Sequence, residues 1–545
     1  MKVIKGKYID VLNKQIYNAE LHILNNKIER IIKSDIEYDN YILPGFIDSH
    51  IHIESTLLTP SRFAEIIVPR GTVGVITDPH EIANVMGVEG VEYMIQDAKG
   101  RGVEFFFGIP SCVPATSFET SGATINSDDV EKLLQREEVY FLSEMMNFPG
   151  VIYGDEEVHR KIELAKRHNK PIDGHAPGVL GDDLKKYISA GISTDHECSS
   201  LEEAIEKIKN GMMIQIREGS AACNFNALYS LIDSHPDKVM LCTDDINPSV
   251  VLKEGHIDRI IKMGLSKGLN LFNLLRAACI NPVKHYNLSI GTLNIGDRAD
   301  FIIVDNLKDF NLIQSWSNGN VIYDSSKKSK TKLEKLPIIN KFRSENISID
   351  DIIIKIPTEK SFVKVVEIVP NEIITNQYNW KPSVENDRIV SSCLDSDILK
   401  MVVVNRYFPE KPMVGFVKNS GLKNGAIASS VAHDSHNIIA IGVSDEMIVK
   451  AINELIDAKG GLVAVDENFS ELLPLPIAGL MSDKSGEEVS DMYIRLREKV
   501  NLLGINLKSP FMTLSFLSLL VIPSLKLGDK GLFDVNKFEF VSLFH

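Results

Sequence analysis

The sequence predicts an α/β chain: a (β/α)8 TIM-like barrel inserted into a small split β-sandwich domain, followed by a C-terminal α+β domain. Three observations lead there. Eight short apolar runs alternate with helix-like stretches between residues 44 and 285. Strand-like segments flank that region on both sides, at residues 1–43 and 286–325. Residues 350–545 mix strands and helices in a rhythm of their own, beyond a polar stretch at 326–349. At ~150 residues per domain, a chain of 545 residues has room for three or four units.

The N-terminal segments KVIKGKYIDVLN, QIYNAELHILNN and KIERIIKS read as strands. Asn25-Asn26 is the expected hairpin turn, because Asn tolerates the left-handed backbone such turns require. Three short strands cannot bury a core alone. Their partner is expected in GTLNIGDRADFIIVDNL and the residues up to Tyr323, with a turn at Gly296-Asp297. The barrel strands read GFIDSHIHI, TVGVITDPH, VEFFFGIPSCV, VYFLSEMMN, KPIDGHA, ISTDHE, MMIQIREG and KVMLCTDD. HRKIELAKRHN and LEEAIEKIKNG are two of the helices between them, and the span suits a barrel of about 250 residues. No GxGxxG follows the first strand, against an open nucleotide-binding sheet. Residues 325–347, rich in Lys and Ser, read as a solvated linker. Beyond them VKVVEIV, LKMVVVNRY, NIIAIGVS and GGLVAVDE are strand-like, and DEMIVKAINELIDAKG is helical.

Composition narrows the class. With 44% hydrophobic and 24% charged residues, the chain is neither disordered nor a small disulfide scaffold. A formal charge of −15 argues against a general nucleic-acid or anionic-membrane surface. The six cysteines are scattered without a CxxC pair, which points to a reducing, cytoplasmic setting. The N-terminus shows no signal-peptide core, and the late apolar run 514–522 is far short of the ~20 residues of a membrane helix.

The chemistry collects at the ends of the proposed barrel strands. Strand 1 ends in His50 and His52, which face one side because residues two apart on a strand do so, with Asp48 beside them. Strand 4 carries Glu144, strand 5 His175, strand 6 His196, and strand 8 ends in Asp244-Asp245. In a barrel these ends converge on one mouth. So many ligand-type side chains in an apolar barrel are costly to bury unpaired, and metal ions supply the pairing. Nitrogen and oxygen donors without thiolate suit Mn, Fe, Zn or Co. Two ions need a bridge, and Glu144 has two oxygens. His50, His52 and Asp244 would hold one ion, His175 and His196 the other. Metal coordination makes a hydroxide nucleophile at neutral pH, and Asp244 would carry its proton to a leaving group. The expected chemistry is metal-assisted hydrolysis. Rival motifs fail: His80-Glu81 and His196-Glu197 begin HExxH without the second His, and His52-Ile53-Glu54 has no PCxxC downstream.

PGFIDSHIH after a short β region, with GDRADFIIVD returning to it, resembles the amidohydrolase superfamily. Within it, TDPHEIANVMG, EMMNFPGVI, DGHAPG, STDHE, IREGSAACN and CTDDINP resemble the bacterial adenine deaminases, as do AHDSHNIIAIG, ELLPLPIAGLMS and the segment 509–535. The resemblance covers almost the whole chain. It implies hydrolysis of adenine to hypoxanthine and ammonia by a metal-bridged hydroxide attacking C6, at two divalent ions, Mn²⁺ foremost and Fe²⁺ or Zn²⁺ next. It implies a homo-oligomer, a dimer, acting on a small molecule. Glu144 in place of a bridging lysine fits a carboxylate-bridged subgroup. His80, Arg217, Glu218 and Asp245 stand near the same mouth and suit binding of the base, with Glu218 expected to protonate the ring. Asp245 competes with Asp244 as metal ligand, since alternation turns only one inward. His433, Asp434 and His436 in AHDSHN are expected on a surface turn, with capping of the barrel mouth as the alternative. Two small departures from the resemblance are Asn25-Asn26, where Asp-Gly is more usual, and residues 536–545, which carry no reading.

Overall fold

Residues 1–44 form strands β1 (Lys2–Asp10), β2 (Gln15–Leu24), β3 (Lys27–Lys33) and β4 (Tyr41–Pro44) in a computed structural model that describes residues 1–545 apart from 221, 328–334, 358–361, 371 and 384–387. β2 and β3 turn at Asn25-Asn26, both left-handed at φ 50° and 63°.

Eight parallel strands follow: β5 (Phe46–Ile51), β6 (Thr72–Thr77), β7 (Glu104–Ile109), β8 (Val139–Met145), β9 (Ile172–Gly174), β10 (Thr194–Asp195), β11 (Met213–Arg217) and β12 (Val239–Cys242). β5 to β9 pair in sequence, and so do β10 to β12. Parallel bridges at Ile172–Ile192 and Ile51–Asp244 join the two arcs into a closed ring. Most of their residues are buried, as expected of parallel strands whose inner face is core and whose outer face is covered by helices. Asp48 accepts from the backbone N–H (3.1 Å) and the hydroxyl (2.5 Å) of Thr243, and His256 Nε2, at the start of the helix Ile257–Ser266, lies 2.9 Å away. Asp48 thereby fixes the end of strand 8 against strand 1 rather than facing the mouth.

β13 (Phe301–Val304), β14 (Leu312–Ser317) and β15 (Asn320–Asp324) return to the first strands, giving the order β15-β14-β13-β4-β1-β2-β3. The expected sandwich is thus one continuous seven-stranded sheet. It is continuous because β4 pairs with both β1 and β13, which hydrogen-bonds the two ends of the insertion together. A bridge from Lys27 to Arg298 draws the sheet over its own core of Leu21, Ile28, Ile42, Phe301 and Trp316. The alternate residues Leu43, Ile302 and Val304 pack toward the barrel.

The C-terminal part holds β16 (Val363–Ile368), β17 (Thr375–Trp380), β18 (Ile398–Val404), β19 (Met413–Lys418), β20 (Ala426–Ser429), β21 (Ile438–Gly442), β22 (Gly461–Val465) and β23 (Ser470–Pro474). They form one sheet in the order β17-β16-β19-β18-β21-β20-β22-β23. Val402, Val404, Ala428 and Val463 face the helix Asp445–Ala458. Met401, Val403, Ile427 and Ala464 face the other way, in a core shared with the helix Gly486–Leu502 and with Leu58, Phe63 and Ile67 of the barrel. A short meander, β24 (Leu525–Gly528), β25 (Gly531–Asp534) and β26 (Glu539–Phe540), closes the chain. Of the expected linker, residues 328–334 lie outside the described residues. The following stretch is not a free tether, since the Arg343 N–H donates to the Arg406 carbonyl at 2.7 Å and the Phe342 ring lies under the Arg406 guanidinium. Among the described residues, no helix is long and apolar enough to cross a membrane.

Candidate active site

At the C-terminal ends of the barrel strands, Glu144 is the centre of a buried ring of imidazoles. Its Oε1 lies 3.3 Å from His52 Nε2, and its Oε2 lies 2.7 Å from His175 Nδ1 and 3.2 Å from His196 Nε2. The two oxygens therefore address different histidines. Asp244 Oδ1 stands 3.2 Å from His52 Nε2 and 3.6 Å from His50 Nε2, and the His50 and His196 rings stack at 4.1 Å. All six sequence-derived ligand candidates are thus brought together. Burial alone would push the Glu144 carboxyl up, but His175, His196 and His52 hold it well below the usual carboxylate range. Against the same burial, Arg217, His50 and His52 hold Asp244 low.

The strand-8 end breaks the alternation expected of it. Asp244 adopts a left-handed backbone, φ 55°, so that Asp244 and Asp245 both line the cavity. Asp245 accepts from the Ser55 hydroxyl at 2.5 Å, and burial with the Asp244 charge pushes it up. Arg217 donates to Asp244 Oδ2 at 2.7 Å and to both oxygens of Glu197, a residue the sequence reading passed over. His80 lies 3.1 Å from Asp78 and 3.4 Å from Glu144 Oε1. Glu218 is not among the residues lining the cavity: its side chain lies by Cys223 and Arg259, and burial pushes it up.

The roof of the cavity comes from elsewhere in the chain. Ile373, Phe516, Leu519, Val521 and Ile522 cover the polar floor with apolar surface. His433 and Asp434 line it too. The expected surface turn at AHDSHN is therefore corrected: His433, Asp434 and His436 are each 3% exposed or less. The cause is Glu81, at the start of the helix after β6, whose two oxygens bind His433 Nδ1 and His436 Nε2 across the domain boundary. The sequence did offer a signal, since two histidines three apart beside a carboxylate need a partner when buried.

The donor set fits divalent metal ions. It is built of nitrogen and oxygen alone, and both ring nitrogens of His50 and Nδ1 of His196 are buried without a hydrogen-bond partner among the described residues. Residues 41–323 match the amidohydrolase family model, and residues 372–539 match the adenine deaminase C-terminal domain. The adenine deaminase of Methanosarcina mazei is 53% identical, over 100% of both chains. That of Parabacteroides distasonis is 48% identical, over 99% of this chain and 98% of its own. The chain belongs to the adenine deaminase family.

In this member of the adenine deaminase family, the stretch that matches the C-terminal domain includes every roof residue, together with His433 and Asp434. Of the two imidazoles on Glu81, His433 is pushed up to about 9: burial lowers it, and the charges of Glu81, Asp245 and Asp434 together outweigh that. For His436 burial wins, and it falls to about 4. At neutral pH His433 carries the charge and His436 is neutral. Burial pushes Asp434 up to about 6.

Proposed function

We propose that the chain hydrolyses adenine at C6, releasing ammonia and leaving hypoxanthine. One observation carries the reading: the ring of His50, His52, His175, His196 and Asp244 around Glu144, in a chain 53% identical along its length to a protein named adenine deaminase. His50, His52 and Asp244 would hold one divalent ion and His175 and His196 a second, with Glu144 shared, and Mn²⁺ is the first choice over Fe²⁺ or Zn²⁺. Bound there, the ions lower the pKa of water and so supply a hydroxide nucleophile at neutral pH.

The chain's own residues supply the rest. Asp244 carries the proton between the attacking water and the leaving amine, a role that suits a carboxylate with Oδ2 anchored by Arg217 and Oδ1 facing the histidines. Arg217 itself is held at the cavity wall by Glu197. His80, backed by Asp78, and Asp245 face the base. The apolar roof keeps bulk water off the reacting carbon. Glu218, expected as the ring acid, has its side chain by Cys223 and Arg259 rather than on the cavity wall, and it carries no step in the proposed reaction. Cytoplasmic residence and a homodimer, without nucleic-acid or membrane partners, belong to the same reading; fractionation and light scattering test them.

The test of the activity is ammonia release from adenine after loading with Mn²⁺, run beside other bases and cyclic amides. Turnover of adenine is the expected result. No turnover of adenine with clear turnover of a cyclic amide overturns the reading.

A further inference from the structure

The C-terminal sheet does more than cover the barrel. His433 and Asp434, in the loop between β20 and β21, line the cavity, yet His433 Nε2 and Asp434 Oδ2 are buried without a hydrogen-bond partner among the described residues. Such unpaired polar atoms are costly unless a ligand completes them. Among the other polar groups on the wall, Arg217 binds Glu197 and Asp244, Asp245 binds Ser55, and Glu81 binds His433 and His436. His433 is fixed from two sides, with Nδ1 on Glu81 and its ring stacked on Phe516 at 4.9 Å. It can turn only Nε2 toward a ligand.

The chemistry of the pair is specific. A carboxylate oxygen can only accept, so Asp434 needs a donor on the ligand. With its other nitrogen on a carboxylate, an imidazolium His433 presents an N–H and needs an acceptor. Adenine offers that combination on the edge far from its amine, where the N9–H donor and the N3 acceptor are neighbours. We propose that Asp434 and His433 bind the N9–H and N3 edge of the purine, making the C-terminal domain the element that selects the free base over N9-substituted purines. The proposal rests on the reading of the site as an adenine-hydrolysing centre. It assigns a specificity role to residues far in sequence from the proposed metal ligands.

The test uses the full-length, Mn²⁺-loaded protein with adenine and 9-methyladenine, which lacks the N9–H. Equilibrium dialysis gives Kd for 9-methyladenine and for hypoxanthine, and steady-state kinetics gives KM and kcat. The parent protein is expected to bind 9-methyladenine at least about tenfold more weakly than a free base, the loss of one hydrogen bond to a charged group. Asp434→Asn, which keeps the shape, is expected to raise KM for adenine about tenfold with metal content unchanged, and Asp434→Ala to shrink the preference for the free base to within about threefold. Equal binding of 9-methyladenine and free base by the parent overturns the proposal, and needs no variant to fold. A third divalent ion per chain that Asp434→Asn removes also overturns it, by giving the pair to metal. Absence of adenine turnover in the parent instead overturns the activity itself, which keeps the two failures apart.

Discussion

At position 244 the backbone is left-handed, a conformation that Asp and Asn tolerate better than most residues. Asp244→Asn therefore tests the carboxylate without adding backbone strain. Turnover is expected to fall about 10²–10⁴-fold, the usual contribution of a positioned proton carrier, and ammonia release measures it. Full turnover in this variant would remove Asp244 from the chemistry. Glu144→Gln replaces one of the two oxygens that address His52 on one side and His175 and His196 on the other. Metal per chain is expected to fall by at least half, read by elemental analysis; a full complement would show that Glu144 bridges nothing. Alternation, the sequence's best tool here, explains both a gap and an error. It could not show that Asp244 and Asp245 both turn inward, because a single φ breaks the period. Arg217 and Glu218 were both expected at the mouth, although alternation turns only one of two adjacent strand residues to the wall, and it is Arg217 that lines the cavity.

The roof is the element that decides access. Phe516→Ala removes both a roof side chain and the ring stacked on His433. KM for adenine is expected to rise about tenfold with metal retained, and the melting temperature to fall, since a buried Phe→Ala change costs about 3–5 kcal/mol. Unchanged KM would mean that the roof does not shape the site. Lys526, on β24, ties two parts of this roof together: its buried ammonium donates to the carbonyls of Ile373 (3.0 Å) and Phe516 (2.8 Å). Burial pushes its pKa down to about 7, whereas a lysine of the unfolded chain titrates near about 10.4. Between those values the unfolded chain holds more protons, so this group's contribution makes stability rise with pH from about 7 to about 10; below that window its penalty is complete. In Lys526→Met that rise is expected to vanish, so the melting gap between parent and variant changes with pH. A gap constant across the window would count against it. The barrel strands were readable because buried parallel strands are unbroken apolar runs with polar ends. The roof was not, because residues 514–522 look like any apolar segment, and the groups they cover lie hundreds of residues earlier.

Barrel and C-terminal sheet share one apolar core, and the Ser482 N–H donates to the Leu57 carbonyl at 2.8 Å across their boundary. Residues 1–325 expressed alone are therefore expected to aggregate and to show no adenine turnover, assayed by light scattering and ammonia release. A soluble, active fragment would show the C-terminal part to be dispensable. The sequence disclosed the units but not their union, because no local pattern records that Glu81 is paired with His433 and His436 from 352 and 355 residues away. That distance has a consequence in time. The candidate metal ligands are all synthesised by Asp244, but the roof ends at Ile522, about 280 residues later. At about 5–20 residues per second, a ribosome leaves the barrel mouth open for roughly 14–56 seconds. On the reading of these residues as metal ligands, the order of the chain leaves their loading a window that closes when the last domain docks.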